Sequence, residues 1–239
     1  MDSRVAPEKA ARSRTRWVYH IVSVLLGVTV VMPIALLLLF RFVPVPATPQ
    51  MAATALGGQQ VHYRWVEADA ISPMLGRAVI ASEDQKFCSH HGFDWDSINS
   101  ALRAHDRGRP LRGASTISQQ TARTLVLLPT RSWIRKGMEA YITVLMEALW
   151  PKKRILTAYL NLANWGHGNF GAEAAAQAYF ETSAAKLTPA EASRLAAILP
   201  DPEEWRAARP GPYVASRSVK VVSRMAEVRR DDLDSCVRP

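Results

Sequence analysis

The sequence predicts a mainly α-helical domain behind one transmembrane helix, and three observations carry that expectation. Trp17 to Phe40 contains no charged residue, and ~20 apolar residues suffice to cross the hydrocarbon core of a bilayer. Helix-start chemistry recurs further on. Ser72-Pro73 sets an N-cap before a proline at the first helical position, and Thr188-Pro189-Ala190-Glu191 adds a capping box to the same arrangement. In the middle, Ile134, Met138, Tyr141, Leu145 and Leu149 recur at steps of three and four, an apolar stripe that Ser132 opens and Pro151 closes.

In chain order, residues 1–16 form a basic tail and 17–42 the span. A cleavable signal peptide has an apolar core of only ~7 to 15 residues, so the longer run reads as an uncleaved signal anchor. Arg4, Lys9, Arg12, Arg14 and Arg16 precede it while only Arg41 follows closely. The positive-inside rule therefore leaves the N-terminus in the cytoplasm and the domain outside. Residues 43–70 read as a linker and strap: Pro44, Pro46 and Pro49 stiffen its start, and weak alternation over Val61–Val66 suggests a short strand or extended segment. The main domain is expected over 71–228. Its first helix runs from Pro73 to about Glu83, and its capping-box helix continues from Thr188 until Pro200 and Pro202 stop it. Residues 229–239 read as a charged tail.

Roughly 195 of the 239 residues remain beyond the N-terminal segment, enough for one domain with a real core. The net charge is +9, and residues 1–41 hold six of the 30 Lys/Arg and two of the 21 Asp/Glu, leaving 24 against 19. A mildly basic domain suits an anionic partner without choosing its kind. Cys88 and Cys236 lie far apart in sequence, and no essential disulfide is expected from them. Of the six histidines only His90 and His91 lie near a cysteine, Cys88, which argues against a four-ligand structural zinc site.

The chemistry concentrates in Ala81-Ser-Glu83-Asp84-Gln-Lys-Phe87-Cys-Ser-His90-His-Gly92 and, downstream, Gly113-Ala-Ser115-Thr116-Ile-Ser-Gln119-Gln120. An acidic pair in an apolar setting precedes an amide-rich loop, the combination that acid/base chemistry on a hydroxylated substrate needs. Arg135-Lys136-Gly-Met-Glu139 follows, then Lys152-Lys-Arg-Ile-Leu-Thr-Ala-Tyr159-Leu-Asn161, then Gly166, Gly168 and Gly171 ahead of Glu173-Ala-Ala-Ala-Gln-Ala-Tyr179-Phe180. Taken in this order, the five segments resemble the motifs of the peptidoglycan glycosyltransferases, the enzymes that polymerise lipid II into glycan strands. No transpeptidase domain follows them, as in the stand-alone, monofunctional members of that family.

The resemblance implies a lysozyme-like, two-lobed helical fold around an elongated cleft, facing the periplasm from the bacterial inner membrane. It implies that Glu83 is the general base, and burial beside Val79, Ile80 and Phe87 suits that role by raising a carboxylate's pKa. Asp84 organises the loop, and His90 is a strut rather than a second base. Ser115, Thr116, Gln119 and Gln120 fall in the substrate-binding loop, where Thr116 to Gln119 also has capping-box spacing. Arg123 and Arg131 stand where the family has a Lys and an Arg on the diphosphate; Arg135, Lys136 and Lys152 extend that cationic set. Glu139 would position Arg135 and Lys136, or a divalent cation such as Mg or Mn, rather than act as nucleophile. No cofactor is otherwise implied. The partners are lipid II, the growing glycan strand, the membrane and cell-wall synthesis or division proteins, with no nucleic acid. Leu125-Val-Leu-Leu128 is either core or a bilayer contact. Two alternatives remain at this stage: a murein-cleaving lytic enzyme, which has no diphosphate to bind, and a non-catalytic membrane-anchored scaffold, which leaves both glutamates unexplained.

Overall fold

The computed structural model describes residues 16, 17, 19–108, 114–130 and 132–238. It divides into two compact units, 1–43 and 44–239. In the first, helix α1 (Tyr19–Phe40) is long and apolar enough to cross a membrane, with a mean hydropathy of 2.7. Its middle, Gly27–Val31, is a π-helical segment ahead of Pro33, the kind of local adjustment that accommodates a proline within a span.

The second unit is built from helices, as expected. After α2 (Pro49–Leu56) come the two-residue strand β1 (His62–Tyr63), α3 (Pro73–Glu83), α4 (Trp95–His105), α5 (Ile117–Val126), α6 (Trp133–Leu149) and α7 (Lys152–Leu162). Strand β2 (Asn169–Phe170), α8 (Ala172–Phe180), α9 (Pro189–Ile198) and α10 (Pro212–Arg230) complete it. The α3, α9 and α10 helices pack on one another, as do α5, α6 and α7. The predicted caps form: Ser72 accepts the Met74 N–H, and both capping boxes, Thr116 with Gln119 and Thr188 with Glu191, close in both directions.

The strap carries a helix that its weak alternation does not reveal. Thr48 caps α2 by accepting the Met51 N–H, with Pro49 at the first position, the same signal read correctly at Ser72-Pro73. Beyond it, β1 pairs in parallel with β2, His62 opposite Asn169 and Tyr63 opposite Phe170. Asn161 then holds the strap from below, its amide accepting the Val66 N–H and donating to the Val66 carbonyl, each at 2.9 Å. The glycines before α8 turn the chain as expected; at Gly166 (φ +92°) an added Cβ would lie 1.8 Å from the Pro202 carbonyl oxygen, so only glycine fits.

Two expectations are corrected and one open pairing is resolved. Along α6 the buried face is Glu139, Ile142, Thr143 and Met146, one residue out of step with the stripe read from the sequence, a rotation of about 100°. Ile134 on that stripe is 83% exposed, beside Trp133 at 89%. Cys88 and Cys236, whose pairing the sequence leaves open, are joined in a disulfide; α10 runs back along α3 and returns the C-terminus to the turn after Glu83. For the same reason residues 231–238 are not a loose appendage. They form a turn and a short 3-10 helix, Ser235–Val237, with Asp234 buried against Arg77 at 3.0 Å.

Candidate active site

Glu83 ends α3, where the helix leaves the core and the chain turns at Asp84. Its side chain is 15% exposed. Gln120 Nε2 donates to Glu83 Oε2 at 3.2 Å, and the Arg217 guanidinium lies 3.7 Å from Oε1. Burial pushes the Glu83 carboxyl above its usual range, against the pull of the Gln120 hydrogen bond and the Arg217 charge. A carboxylate so placed is more basic than one in water while keeping donors that orient it.

Asp84 faces inward and ties the first motif to the second. Its carboxylate accepts the Ile117 N–H at 3.0 Å, at the open start of α5, and receives His90 Nε2 at 3.0 Å. His90 Nδ1 accepts the Gly92 N–H at 3.1 Å, so the ring proton sits on Nε2 and is donated to Asp84. His90 is thus a strut. Gly92 (φ +94°) has Thr143 Cγ2 2.9 Å from where a Cβ would stand, and its carbonyl accepts the Thr116 hydroxyl at 2.6 Å. Thr116 and Gln119 are therefore committed to the cap and to this link, and both are buried.

Gln120 is the member of that loop that reaches Glu83. Its carbonyl oxygen accepts the Tyr159 hydroxyl at 3.2 Å while its amide donates to Glu83 and, at 3.4 Å, to the Ser115 carbonyl. Burial and then the nearby Glu83 charge raise the Tyr159 phenol well above its usual pKa, which keeps it a neutral donor. A cavity of about 250 Å³ is lined by Ser82, Glu83, Asp84, Lys86, Ser115 and Arg224. A second, of about 200 Å³, is lined by Gln50, Gln120, Arg123, Tyr159, Asn164 and Leu199. The Glu83–Gln120 hydrogen bond joins the walls of the two, so one carboxylate stands where two bound groups could meet.

The cationic set divides. Glu139 is fully buried on α6, with Arg135 Nη1 at 3.1 Å on one oxygen and Lys136 Nζ on the other. Both contacts are the neighbours that spacings of four and three give on a helix. Lys136 keeps 42% of its side chain exposed. Lys152 instead turns inward: its ammonium is 2.7 Å from Glu147 and 4.6 Å from the Phe87 ring centroid, while Ser118 donates to the same Glu147 oxygen. That packing makes Lys152 a brace between α6, α7 and the first motif. Arg123 lines the second cavity. Arg131 lies outside the described residues.

Arg217 and Arg224 are site residues that the sequence reading missed. They face Glu83 and its cavity from α10, well beyond the last motif. A signal was available, since Arg217, Lys220 and Arg224 sit at steps of three and four, one basic face on a helix.

A transglycosylase family model matches residues 49–226, which takes in both cavities and every described residue named above for the site. Among curated proteins, a biosynthetic peptidoglycan transglycosylase of Caulobacter vibrioides is 51% identical over 205 residues, 86% of this chain and 90% of the relative. Proteins of the same description from Rhodospirillum centenum (48% over 223 residues; 93% and 96%) and Pseudomonas aeruginosa (46% over 205 residues; 83% and 88%) match comparably. Neither a lytic enzyme nor a scaffold accounts for relatives that are biosynthetic over nearly their whole length. The chain belongs to the transglycosylase family, and its function is peptidoglycan synthesis for the cell wall.

Proposed function

We propose that the protein polymerises lipid II into β-1,4-linked glycan strands by an inverting transfer in which Glu83 is the general base. The observation that carries this reading is the raised, donor-flanked Glu83 carboxylate at the meeting of two cavities. The 4-hydroxyl of the acceptor GlcNAc gives its proton to Glu83 as its oxygen bonds to C1 of the MurNAc at the reducing end of the growing chain. The bond from C1 to the diphosphate breaks, and undecaprenyl diphosphate leaves with the electron pair. Because that leaving group is α-linked and the new bond is β, the anomeric centre inverts, as in inverting glycosidases with a sugar hydroxyl in place of water.

Charge on the leaving diphosphate falls to the cations. Arg123 on the second cavity and Arg135 and Lys136, held by Glu139, supply charge-assisted donors for it. The fit to a protein-held divalent cation is poor, because both Glu139 oxygens are taken by Arg135 and Lys136 and no group of three or more His, Cys, Asp or Glu side chains among the described residues could hold a metal. Any Mg or Mn would come with the substrate. Lys136→Ala is expected to reduce the rate with the diphosphate-linked donor on the order of tenfold, the usual worth of a hydrogen bond to a charged group. The assay is labelled lipid II in detergent with products separated by gel. Ladders support polymerisation, whereas muropeptide fragments from intact glycan strands would move the reading to hydrolysis.

In this reading α1 is a single-pass anchor in the bacterial inner membrane, with the 44–239 unit in the periplasm. Leu125 is in the core, but Leu128 is 63% exposed, and Trp133 and Ile134 are exposed a few residues on, apolar side chains suited to the bilayer or the lipid tail. Removing residues 1–43 should leave a folded enzyme that polymerises lipid II in micelles, since the second unit is compact by itself. In cells the exported truncation should work poorly, because tethering raises effective concentration without adding a catalytic contact. Adding Leu127→Asp and Leu128→Asp should weaken it further, read as membrane fractionation and polymerisation rate. A folded truncation that is inactive in micelles would make the span part of the catalytic unit. Docking of cell-wall synthesis or division proteins belongs to the same proposal.

A further inference from the structure

The C-terminal segment is attached at two points, one in the first motif and one on α3. Cys236, in the short helix after α10, is bonded to Cys88, five residues beyond Glu83, and its N–H also approaches Cys88 Sγ at 3.3 Å. Two residues earlier, Asp234 receives Arg77 Nε from α3 at 3.0 Å, with side chains only 5% and 12% exposed. Between these ties and the cleft runs α10, a 19-residue helix whose Val214, Val221, Met225 and Val228 are buried. Apolar packing of that kind resists separation but is non-directional. It sets poorly how far α10 slides or rotates along α3, and that register decides where Arg217 and Arg224 stand relative to Glu83.

We propose that the Cys88–Cys236 disulfide, with the Arg77–Asp234 pair, is a positioning clasp for the transfer reaction: it fixes α10 against α3 so that Arg217 and Arg224 face Glu83 and its cavity. The clasp is reversible by thiol exchange. A dithiol reductant becomes a disulfide while Cys88 and Cys236 take up two electrons and two protons and become thiols. Both cysteines are half-buried rather than sealed. The inference rests on Glu83 being the base. The charged and titratable groups facing Glu83 are Arg217 and Arg224 from α10, Tyr159 from α7, and Asp84, Lys86 and Asp94 from the first motif and the loop after it. Of these, the two α10 arginines are held by the clasp through α10, and Lys86, two residues before Cys88, through the first motif. Opening it removes positive charge from the carboxylate, so the pH below which activity falls moves upward.

The test uses the full-length protein in detergent with labelled lipid II, comparing oxidised enzyme, enzyme reduced with dithiothreitol and capped with iodoacetamide, Cys236→Ser, Arg217→Ala and the double variant. Opening the bridge is expected to lower kcat on the order of tenfold, a part of the ~100-fold that a misplacement of about 1 Å can cost, with a smaller change in KM. The acid limb should shift to higher pH, and opening should add little in the Arg217→Ala background, because the two changes share one mechanism. Reoxidation of uncapped enzyme restores the rate. An unchanged kcat and acid limb with the bridge shown open, losses that multiply with Arg217→Ala, or a lowered melting temperature with the limb in place would each overturn the clasp. If Cys236→Ser fails to fold, reduction of the folded wild-type protein decides. An active Glu83→Gln enzyme would remove the base assignment itself, whereas a dead Glu83→Gln beside an unaffected reduced enzyme would remove the clasp alone.

Discussion

Glu83→Gln is expected to keep the fold and abolish polymerisation, with a loss of ~100 to 10,000-fold, the usual range for a general base. The amide keeps the shape and can still meet Gln120, yet it takes no proton. Stability should move the other way. A carboxyl whose folded pKa is raised favours folding below its unfolded pKa and loses that contribution as pH rises through the folded value. At neutral pH the wild-type carboxylate is therefore a desolvated charge, and its neutral replacement should melt at the same temperature or higher. The wild-type rate should fall on acidification at a pH above that of an ordinary glutamate, as Glu83 is protonated. Gel assays of lipid II turnover across pH, with thermal melts of both proteins, check all three. A glutamine enzyme retaining more than about a tenth of the rate, well outside the range for base loss, would end the assignment.

Asp84→Ala should be nearly as damaging, by a different route. It leaves the Ile117 N–H and the His90 Nε2–H buried without acceptors, at a cost of roughly 2 to 6 kcal/mol for two such donors, or about 4 to 24 °C in melting temperature for a domain of this size. The first motif would then lose its tie to α5, and Gln120 its place beside Glu83. Asp84→Asn keeps one acceptor oxygen and should recover part of both stability and rate. Equal melting of the wild type and Asp84→Ala would show that the Asp84 contacts do not hold the loop.

How much of this was legible beforehand depends on the range of the interactions involved. The span, the caps at Ser72, Thr116 and Thr188, the helix from Ser132 to Pro151 and the pairing of Arg135 and Lys136 with Glu139 are local. Each is set by spacings of a few residues and by the charge, proline or hydroxyl found there, so the linear sequence determines them. The motif order likewise identified the family before any distance was known. The helix at Pro49 carried a readable cap at Thr48 and went unrecognised beside a weak strand signal.

What only the tertiary structure decided is long-range. Helix α6 has two candidate apolar faces one residue apart, and its packing against α5, with Gly92 closing on Thr143, selects the one that buries Glu139 and leaves Ile134 and Trp133 outside. Lys152 reads as a ligand for anions until Glu147 and Phe87 surround it. Glu83 is raised by burial that the packed helices create, and it is oriented by Gln120 from α5 and Arg217 from α10, groups separated from it by 37 and 134 residues of sequence. The same return of α10 along α3 brings Cys236 to Cys88 across 148 residues. Periodicity and capping are properties of one helix, whereas burial, charge pairing and disulfide contact belong to the space between helices, and that space exists only once the chain has folded.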